Sequence, residues 1–296
     1  MQSLWALSTQ TGLATSLKNK IMNKAFNFEN LNISIPKRKS NSHKGLNGRV
    51  LVIAGSRGLG GAGIMASEAS LYSGAGLVTL HTHKSNVEAS LIRNPEVIAL
   101  GISKFFPISE NFSVILYGPG MQNDEWSNKM PEHLKNIPQE SSLIIDAGGL
   151  QHLKDHNLTI SNNTILTPHP GEASNLLEIP IHEIQKNREE AAQIISEKFN
   201  ASCVILKGNK TVIYFKDKKK TFVCEDGGPE LSSGGTGDIL CGVISSLLAQ
   251  SLSLYEACLL SVAVHAKAGE IFADKYGEIG LNATAIIPII RQLLNK

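Results

Sequence analysis

No stretch of the 296 residues reaches the run of about 18 apolar positions that a membrane-spanning helix needs, so a transmembrane helix is excluded. The four cysteines, Cys203, Cys224, Cys241 and Cys258, contain no Cys-x-x-Cys pair. That removes the common zinc and redox motifs and points to buried free thiols in a reducing cytosol. His, Cys, Asp and Glu nowhere cluster at transition-metal spacing. A formal net charge of +2 gives no reason to expect nucleic acid or an acidic partner. There is no internal repeat and no low-complexity tract. No acid precedes Glu29 and no secretory apolar core is present. The Lys, Ser and Thr there match a transit peptide only weakly, so residues 1–35 are expected to form an N-terminal arm, flexible or touching a second copy.

What is present alternates strands and helices. The run RVLVIA (Arg49 to Ala54) is bounded by glycine and predicts a buried strand. GSRGLGGAG follows, then a helical IMASEASLYSG and a second strand, GLVTLHTH. This order predicts a right-handed parallel crossover. A glycine-rich turn after a strand invites a dinucleotide reading, and Tyr214 and Lys218 have the Tyr-x-x-x-Lys spacing of a short-chain dehydrogenase. That pair belongs on a helix, whereas VIYFKDKKKTFVCE predicts two strands joined by a charged turn. His81 and His83 also stand where a ribose-binding acid is needed. The dehydrogenase reading is therefore set aside.

Further on, FSVILYGPGM predicts a strand ending at Gly118-Pro119-Gly120, and SSLIIDAGGL one ending at Asp146. NTILTPHPGEASNLL predicts a strand, a turn from Thr167 to Gly171, and a helix begun by Glu172. ASCVILKGNKTVIYF pairs two strands around Lys207-Gly208. Gly118–Gly120, Asp146, His169 and Lys207 thus fall at the carboxyl ends of apolar strands, the edge where open α/β sheets bind ligands. Each also has a plainer account: His169 as a solvent-facing turn residue, Lys207 as a hairpin cap, Asp146 as the holder of an Asx-turn. His265, within LYEACLLSVAVHAKAGEIFADKYG, reads as a packing histidine on an apolar helix face, and a last helix is expected near Thr284.

The segment Gly227 to Gln250, GGPELSSGGTGDILCGVISSLLAQ, carries the strongest local signal. Gly234, Gly235 and Gly237 predict a backbone at positive φ whose N–H groups converge on one point. The amphipathic helix that follows (Ile239, Leu240, Val243, Ile244, Leu247, Leu248) turns its N-terminus toward that point, which suits an anion. Asp238 reads equally as the helix N-cap or as a general base aimed at a hydroxyl.

With these motifs in view, the chain resembles the ADP/ATP-dependent NAD(P)H-hydrate dehydratase family, of ribokinase-like fold. The likeness runs from about Ser42 to Leu294, through SHKGLNGRVLVIAGS, GAGLVTL, NPEVI, GPG, LTPHPGE, LKGNKTVI and GGTGDILCGVISSLLAQ. It implies an α/β fold with a mostly parallel sheet flanked by helices on both faces, and one catalytic domain at residues 36–296. It implies that NADHX or NADPHX is phosphorylated by ADP, less readily by ATP, and then loses phosphate. Asp238 would be the base. Ala62, Gly118, Gly120, Asp146 and His169, with Asp238, would face the hydrate. Lys207, Gly208, Asn209, Lys210 and Thr211, with Gly235, Thr236 and Gly237, would hold the nucleotide. Mg²⁺ is implied by phosphoryl transfer, with no ligands identified. The same likeness implies a cytoplasmic homo-oligomer, with the epimerase on a separate chain. The competing expectations are a ribokinase-like vitamin-precursor kinase and a non-catalytic nucleotide binder. Two positions depart from the family: Gly148, where Asp-Ala-Asp is usual, and Gly228, where Gly-Asn is usual.

Overall fold

A computed structural model describes residues 24–38, 40–105, 107–108, 111–156 and 163–296. The first 23 residues of the expected arm lie outside the described residues.

Ten strands form one sheet: β1 (Lys24–Phe26), β2 (Arg49–Ile53), β3 (Leu77–Thr82), β4 (Ile98–Gly101), β5 (Val114–Tyr117), β6 (Ser142–Ile145), β7 (Thr164–Leu166), β8 (Cys203–Leu206), β9 (Val212–Phe215) and β10 (Lys220–Cys224). Their order is β1-β10-β9-β8-β7-β6-β5-β2-β3-β4. Every pairing is parallel except those of β9 with β8 and β10. Tyr214 therefore lies on a strand and Lys218 in the turn after it, as the charged hairpin required. One expectation changes here: the segment read as an arm contributes an edge strand. Lys24–Phe26 pairs with β10, Phe26 is buried, and the Phe28 amide donates to Asp226 Oδ2 at 2.6 Å.

Ten helices among the described residues cover the sheet: α1 (Gly60–Tyr72), α2 (Val87–Arg93), α3 (Glu132–Lys135), α4 (Gly148–Asp155), α5 (Pro170–Leu177), α6 (Ile181–Lys186), α7 (Arg188–Phe199), α8 (Thr236–Ala249), α9 (Leu254–Tyr276) and α10 (Ile287–Leu294). The period-2 alternation of strand side chains builds two cores. Val50 and Val52 of β2 join Ile239, Val243 and Leu247 of α8 on one face, while Leu51 and Ile53 join Leu150, Leu176 and Ile195 on the other. Strands buried on both faces are mostly apolar, which is why these runs do not alternate in sequence; β3 departs from this, with Thr79, His81 and Thr82 buried.

The helix after GGTGD is not amphipathic in its setting. All of α8 except Gly237 and Asp238 is buried, because it runs between the sheet, α1 and α9. Small residues permit this. A Cβ on Gly242 would stand 2.3 Å from the Ala66 carbonyl oxygen, and the Ser70 hydroxyl donates to the Gly242 carbonyl at 3.0 Å. Most motifs that carry the family likeness serve this frame. Lys44 of SHKG packs against Gly76, and Gly48 against the Ala249 carbonyl at the far end of α8. All four cysteines are buried free thiols.

Candidate active site

The site is built at the carboxyl ends of β2 and β5–β8. Strand order reverses between β2 and β5, the place where open α/β sheets leave a crevice. Two loops are stitched across it: the Gly55 amide donates to the Pro119 carbonyl and the Ser56 amide to the Gly120 carbonyl, both at 2.9 Å. A buried Asn86 braces the first loop, its Nδ2 donating to the carbonyls of Gly55 at 2.9 Å and Ser56 at 3.2 Å. Gly120 has φ 62°, and a Cβ there would come within 2.8 Å of the Ala62 Cβ. Ala62 and Gly120 therefore form one wall. Gly118, at φ 116°, lies under the Asp146 carbonyl.

Asp146, at the tip of β6, is buried and accepts from the Thr167 hydroxyl at 2.8 Å and the Lys207 ammonium at 2.5 Å. Lys207 follows β8, and its amide donates to the Pro168 carbonyl at 2.8 Å. Its Nζ also lies 3.7 Å from Glu172 Oε2. Burial works against the charge on Lys207, but Asp146 and Glu172 outweigh it and hold the ammonium above its ordinary pKa. The plainer readings of Asp146 and Lys207 as turn holder and hairpin cap give way to a buried ion pair.

His169 is the N-cap of α5. Its Nδ1 accepts from the amides of Gly171 at 3.0 Å and Glu172 at 3.2 Å, while Glu172 Oε2 accepts from the His169 amide at 2.7 Å. This is a capping box with histidine in the place of serine or threonine. It starts the helix at Pro170, two residues before the predicted Glu172. With Nδ1 accepting, Nε2 is the donor of the ring; it lies 3.5 Å from Glu172 Oε1 on a side chain that is 57% exposed. Burial raises the pKa of Glu172, with Asp146 adding to the effect and Lys207 opposing it.

The anion turn differs from expectation in two respects. Only Gly235, at φ 96°, has positive φ; Gly234 and Gly237 do not. Gly235 itself is the N-cap, and Asp238 is the third residue of α8, with no capping bond. The Thr236 hydroxyl braces the turn, within 3.0 Å of the carbonyls of Leu231 and Ser233. Thr236 N–H reaches Ser233 O at 3.4 Å, and Ile239 N–H closes on Gly235 O at 3.1 Å. The amides of Gly235, Gly237 and Asp238 have no acceptor among the described residues. They form the positive end of a helix that is otherwise buried. His265, on α9, donates from Nε2 to the Thr236 carbonyl at 2.9 Å, and burial pushes its pKa down to about 4, so it is a neutral histidine packed against the start of α8.

The Asp238 carboxylate has no hydrogen bond or ion pair among the described residues. Burial raises its pKa to about 7, with Asp146 and Glu172 adding and Lys207 opposing. A carboxyl that titrates near neutrality beside unused amides is poised to take a proton.

On the other side of Lys207 lies a cavity of about 390 Å³, lined by Gly208, Asn209, Thr211, Thr236 and Gly237 as well as by Asp226–Pro229 and the apolar Leu231, Leu240, Val262 and Ala266. A Cβ on Gly237 would sit 3.5 Å from Lys207 Nζ, so the lysine faces the first turn of α8. Lys210, expected with the nucleotide residues, is not in the cavity wall; it turns the loop at φ 55°. The residues that sequence reasoning missed as part of the site are Thr167, Asn86 and Glu172 in its role beside Lys207. Glu172 was visible only as a helix start, because a histidine cap is not the Ser/Thr signature of a capping box.

The two departures from the family pattern have local accounts. Gly148 opens α4, where a Cβ would stand 2.3 Å from the Met121 carbonyl oxygen. Gly228 N–H donates to Glu230 Oε1 at 2.9 Å, and a Cβ there would meet the same carboxylate.

A doubly covered, almost wholly parallel sheet with a helix start at the strand tips places the protein among the ribokinase-like α/β proteins. Within that class the comparisons are specific. A sequence model of the NAD(P)H-hydrate dehydratase family matches residues 50–292, and the chain belongs to that family. It is 38% identical over 265 residues to the bifunctional NAD(P)H-hydrate repair enzyme of Coxiella burnetii, covering 88% of this chain and 53% of that one. It is 36% identical to the ADP-dependent (S)-NAD(P)H-hydrate dehydratase of Staphylococcus aureus, covering 84% and 91%. The Bacillus subtilis ADP/ATP-dependent NAD(P)H-hydrate dehydratase, co-crystallized with ATP/Mg²⁺, superposes with a TM-score of 0.80 at 29% identity, covering 88% and 94%. The chain spans about half the length of the bifunctional relatives.

Proposed function

We propose that the chain dehydrates NADHX and NADPHX to the dihydronicotinamide, with ADP, and less readily ATP, as phosphoryl donor. The observation that carries this is Asp238, a near-neutral carboxyl in the first turn of a helix whose opening amides are unused. Asp238 takes the proton of the ring hydroxyl as that oxygen attacks the terminal phosphorus. The amides of Gly235, Gly237 and Asp238, together with Lys207, receive the charge on the migrating phosphoryl group. The nucleotide leaves one phosphate shorter. The ring carbon–oxygen bond of the new phosphate ester then breaks as the ring nitrogen supplies the electron pair, phosphate leaves with the oxygen, and the neighbouring carbon gives its proton to the departing phosphate to restore the double bond.

Ala62, Gly118, Gly120, Asp146 and the His169 Nε2–H form the hydrate side of this reading; the cavity beyond Lys207 takes the nucleotide, its apolar end suiting adenine. No three His, Cys, Asp or Glu side chains form a metal cluster among the described residues. Mg²⁺ fits as an ion carried by the phosphates, which bind it with few protein ligands. When bound it would neutralise phosphate charge, held by the phosphates and water, which leaves Asp238 free for the proton. Residues 36–296 as one catalytic domain, a cytoplasmic homo-oligomer and a functional link to an epimerase belong to the same proposal.

The test is to incubate the purified chain with NADHX and either ADP or ATP and follow the return of dihydronicotinamide absorbance. Recovery that is faster with ADP is expected; no recovery with either nucleotide rejects the reading.

A further inference from the structure

Arg188 is the first residue of α7 and stands against the β8–β9 loop. Its guanidinium donates to four main-chain carbonyls of that loop: from Nη1 to Asn209 and, at 3.2 Å, to Lys210, and from Nη2 to Leu206 at 2.9 Å and Lys207 at 3.2 Å. These carbonyls bracket the segment that lines the nucleotide cavity.

Three features set this apart from an ordinary surface arginine. It has no carboxylate partner among the described residues, although Glu189 and Glu190 are its neighbours in sequence. Its Nε is buried and bonds nothing. It also sits at the positive end of its own helix, where a cation is disfavoured. A half-buried charge with only neutral partners at the wrong end of a helix is held there against electrostatics, and burial lowers its pKa. The loop it grips is itself unusual. Lys210 adopts φ 55°, a conformation that disfavours a residue with a Cβ. Gly208 adopts φ 137°, and a Cβ there would lie 3.1 Å from Arg188 Nη2. The guanidinium spreads five N–H donors over a rigid planar fork that can span carbonyls lying apart along the loop; an ammonium offers three from a single nitrogen.

We propose that Arg188 is a positioning residue for the adenine nucleotide: its guanidinium fixes the Leu206–Lys210 loop in the shape that presents Lys207, Gly208 and Asn209 to the phosphates, and makes that loop electropositive. The inference rests on the nucleotide reading of the neighbouring cavity.

The experiment measures ADP binding to the full chain by calorimetry for the parent, Arg188→Lys and Arg188→Ala. It is paired with steady-state KM values for ADP and for the hydrate. Loss of charge-assisted bonds to the loop is expected to weaken ADP about tenfold or more in both variants, because the charge alone does not replace the fork. The KM for the hydrate is expected to change less than about twofold, well inside the difference one lost hydrogen bond makes. Added methylguanidinium is expected to restore ADP affinity in Arg188→Ala and to leave Arg188→Lys unchanged. If Arg188→Ala does not accumulate as folded protein, the KM split in Arg188→Lys decides. Unchanged ADP affinity in the variants overturns the inference alone. Equal losses for ADP and hydrate also overturn it, since a general structural defect moves both. A parent chain that binds no ADP overturns the inference together with the nucleotide reading beneath it.

Discussion

Lys207 Nζ stands 2.5 Å from Asp146 Oδ1, joining the tips of β8 and β6 across β7. Asp146 is buried and Lys207 nearly so, and Glu172 approaches the ammonium from the third side. The pair therefore has one cation and two carboxylates, and removal of its members should be asymmetric. Lys207→Met leaves both carboxylates uncompensated and should cost about 3 kcal/mol or more of unfolding free energy. Asp146→Asn leaves Lys207 with Glu172 and should cost less. Adding Glu172→Gln to Lys207→Met should return part of the loss. Urea unfolding of the parent and these three variants measures this coupling, and equal costs for the two single changes at Lys207 and Asp146 would contradict it.

Asp238 predicts two pH effects of opposite benefit. As a base it must be ionised, so kcat/KM should rise with pH through about 7. Asp238→Asn should lower turnover by at least about a hundredfold and remove that limb. For stability, the unfolded carboxyl ionises near 3.8 and the folded one near 7. Between these values the folded state holds the extra proton, so ionisation of Asp238 lowers stability as pH rises through this window. Asp238→Asn should thus melt at a higher temperature than the parent at pH about 8, with the gap closing toward pH about 4. A gap independent of pH would mean that Asp238 titrates like an ordinary surface carboxylate.

Much of this geometry was legible in the sequence because the sheet interior leaves little choice. Val50 to Ile53, Val114 to Tyr117 and Cys203 to Leu206 are apolar throughout, as strands covered on both faces of a parallel sheet mostly are. The polar residues that interrupt those runs mark the strand ends, which brought Asp146, His169 and Lys207 to one edge before any coordinates. Partners across space were not legible. Nothing local says that Lys207 reaches Asp146, 61 positions away, or that Arg188 grips a loop beginning at Leu206. Local backbone conformation was also misread where two answers shared one pattern. In GGTGD only Gly235 needs positive φ, and Asp238 falls three residues past the cap, one turn from where N-cap preference alone would put it. Lys24–Phe26 escaped because a three-residue edge strand has no period to read.

His169 separates a structural role from a binding one within a single ring. Nδ1 caps α5, and Nε2 carries the second donor position, 3.5 Å from Glu172 Oε1. Asparagine is a strong N-cap but does not reach as far as Nε2. His169→Asn should therefore keep the melting temperature near that of the parent while raising the KM for the hydrate about tenfold, the value of one lost hydrogen bond. His169→Ala should lose both, with about 1 kcal/mol of stability gone with the cap. Thermal melts and steady-state kinetics on the two variants distinguish the roles, and an unchanged KM in His169→Asn would leave His169 as a cap alone.

Gly148 gives the sharpest contrast between family pattern and local packing. The family resemblance implies aspartate at this position, and introducing it would be the natural route to tighter hydrate binding if the pocket had simply lost a carboxylate. The backbone here argues otherwise. Gly148 opens α4 directly beneath the turn that follows β5, and the position of a Cβ is taken by the Met121 carbonyl, with the Met121 Cβ 2.8 Å away. Met121 is itself buried, and its amide is tied to the Gly118 carbonyl at 3.0 Å, so the obstacle is main chain rather than a side chain that can rotate away. Any side chain at 148 must push the 118–122 turn, and with it Gly120 and the wall shared with Ala62. Gly148→Ala and Gly148→Asp should each destabilise by about 1–3 kcal/mol, as overpacking does. Gly148→Asp should also raise the KM for the hydrate rather than lower it. Chemical denaturation and steady-state kinetics on both variants test this, and a Gly148→Asp protein of parental stability with a lower KM would show that the turn yields and that the lost carboxylate was a binding group.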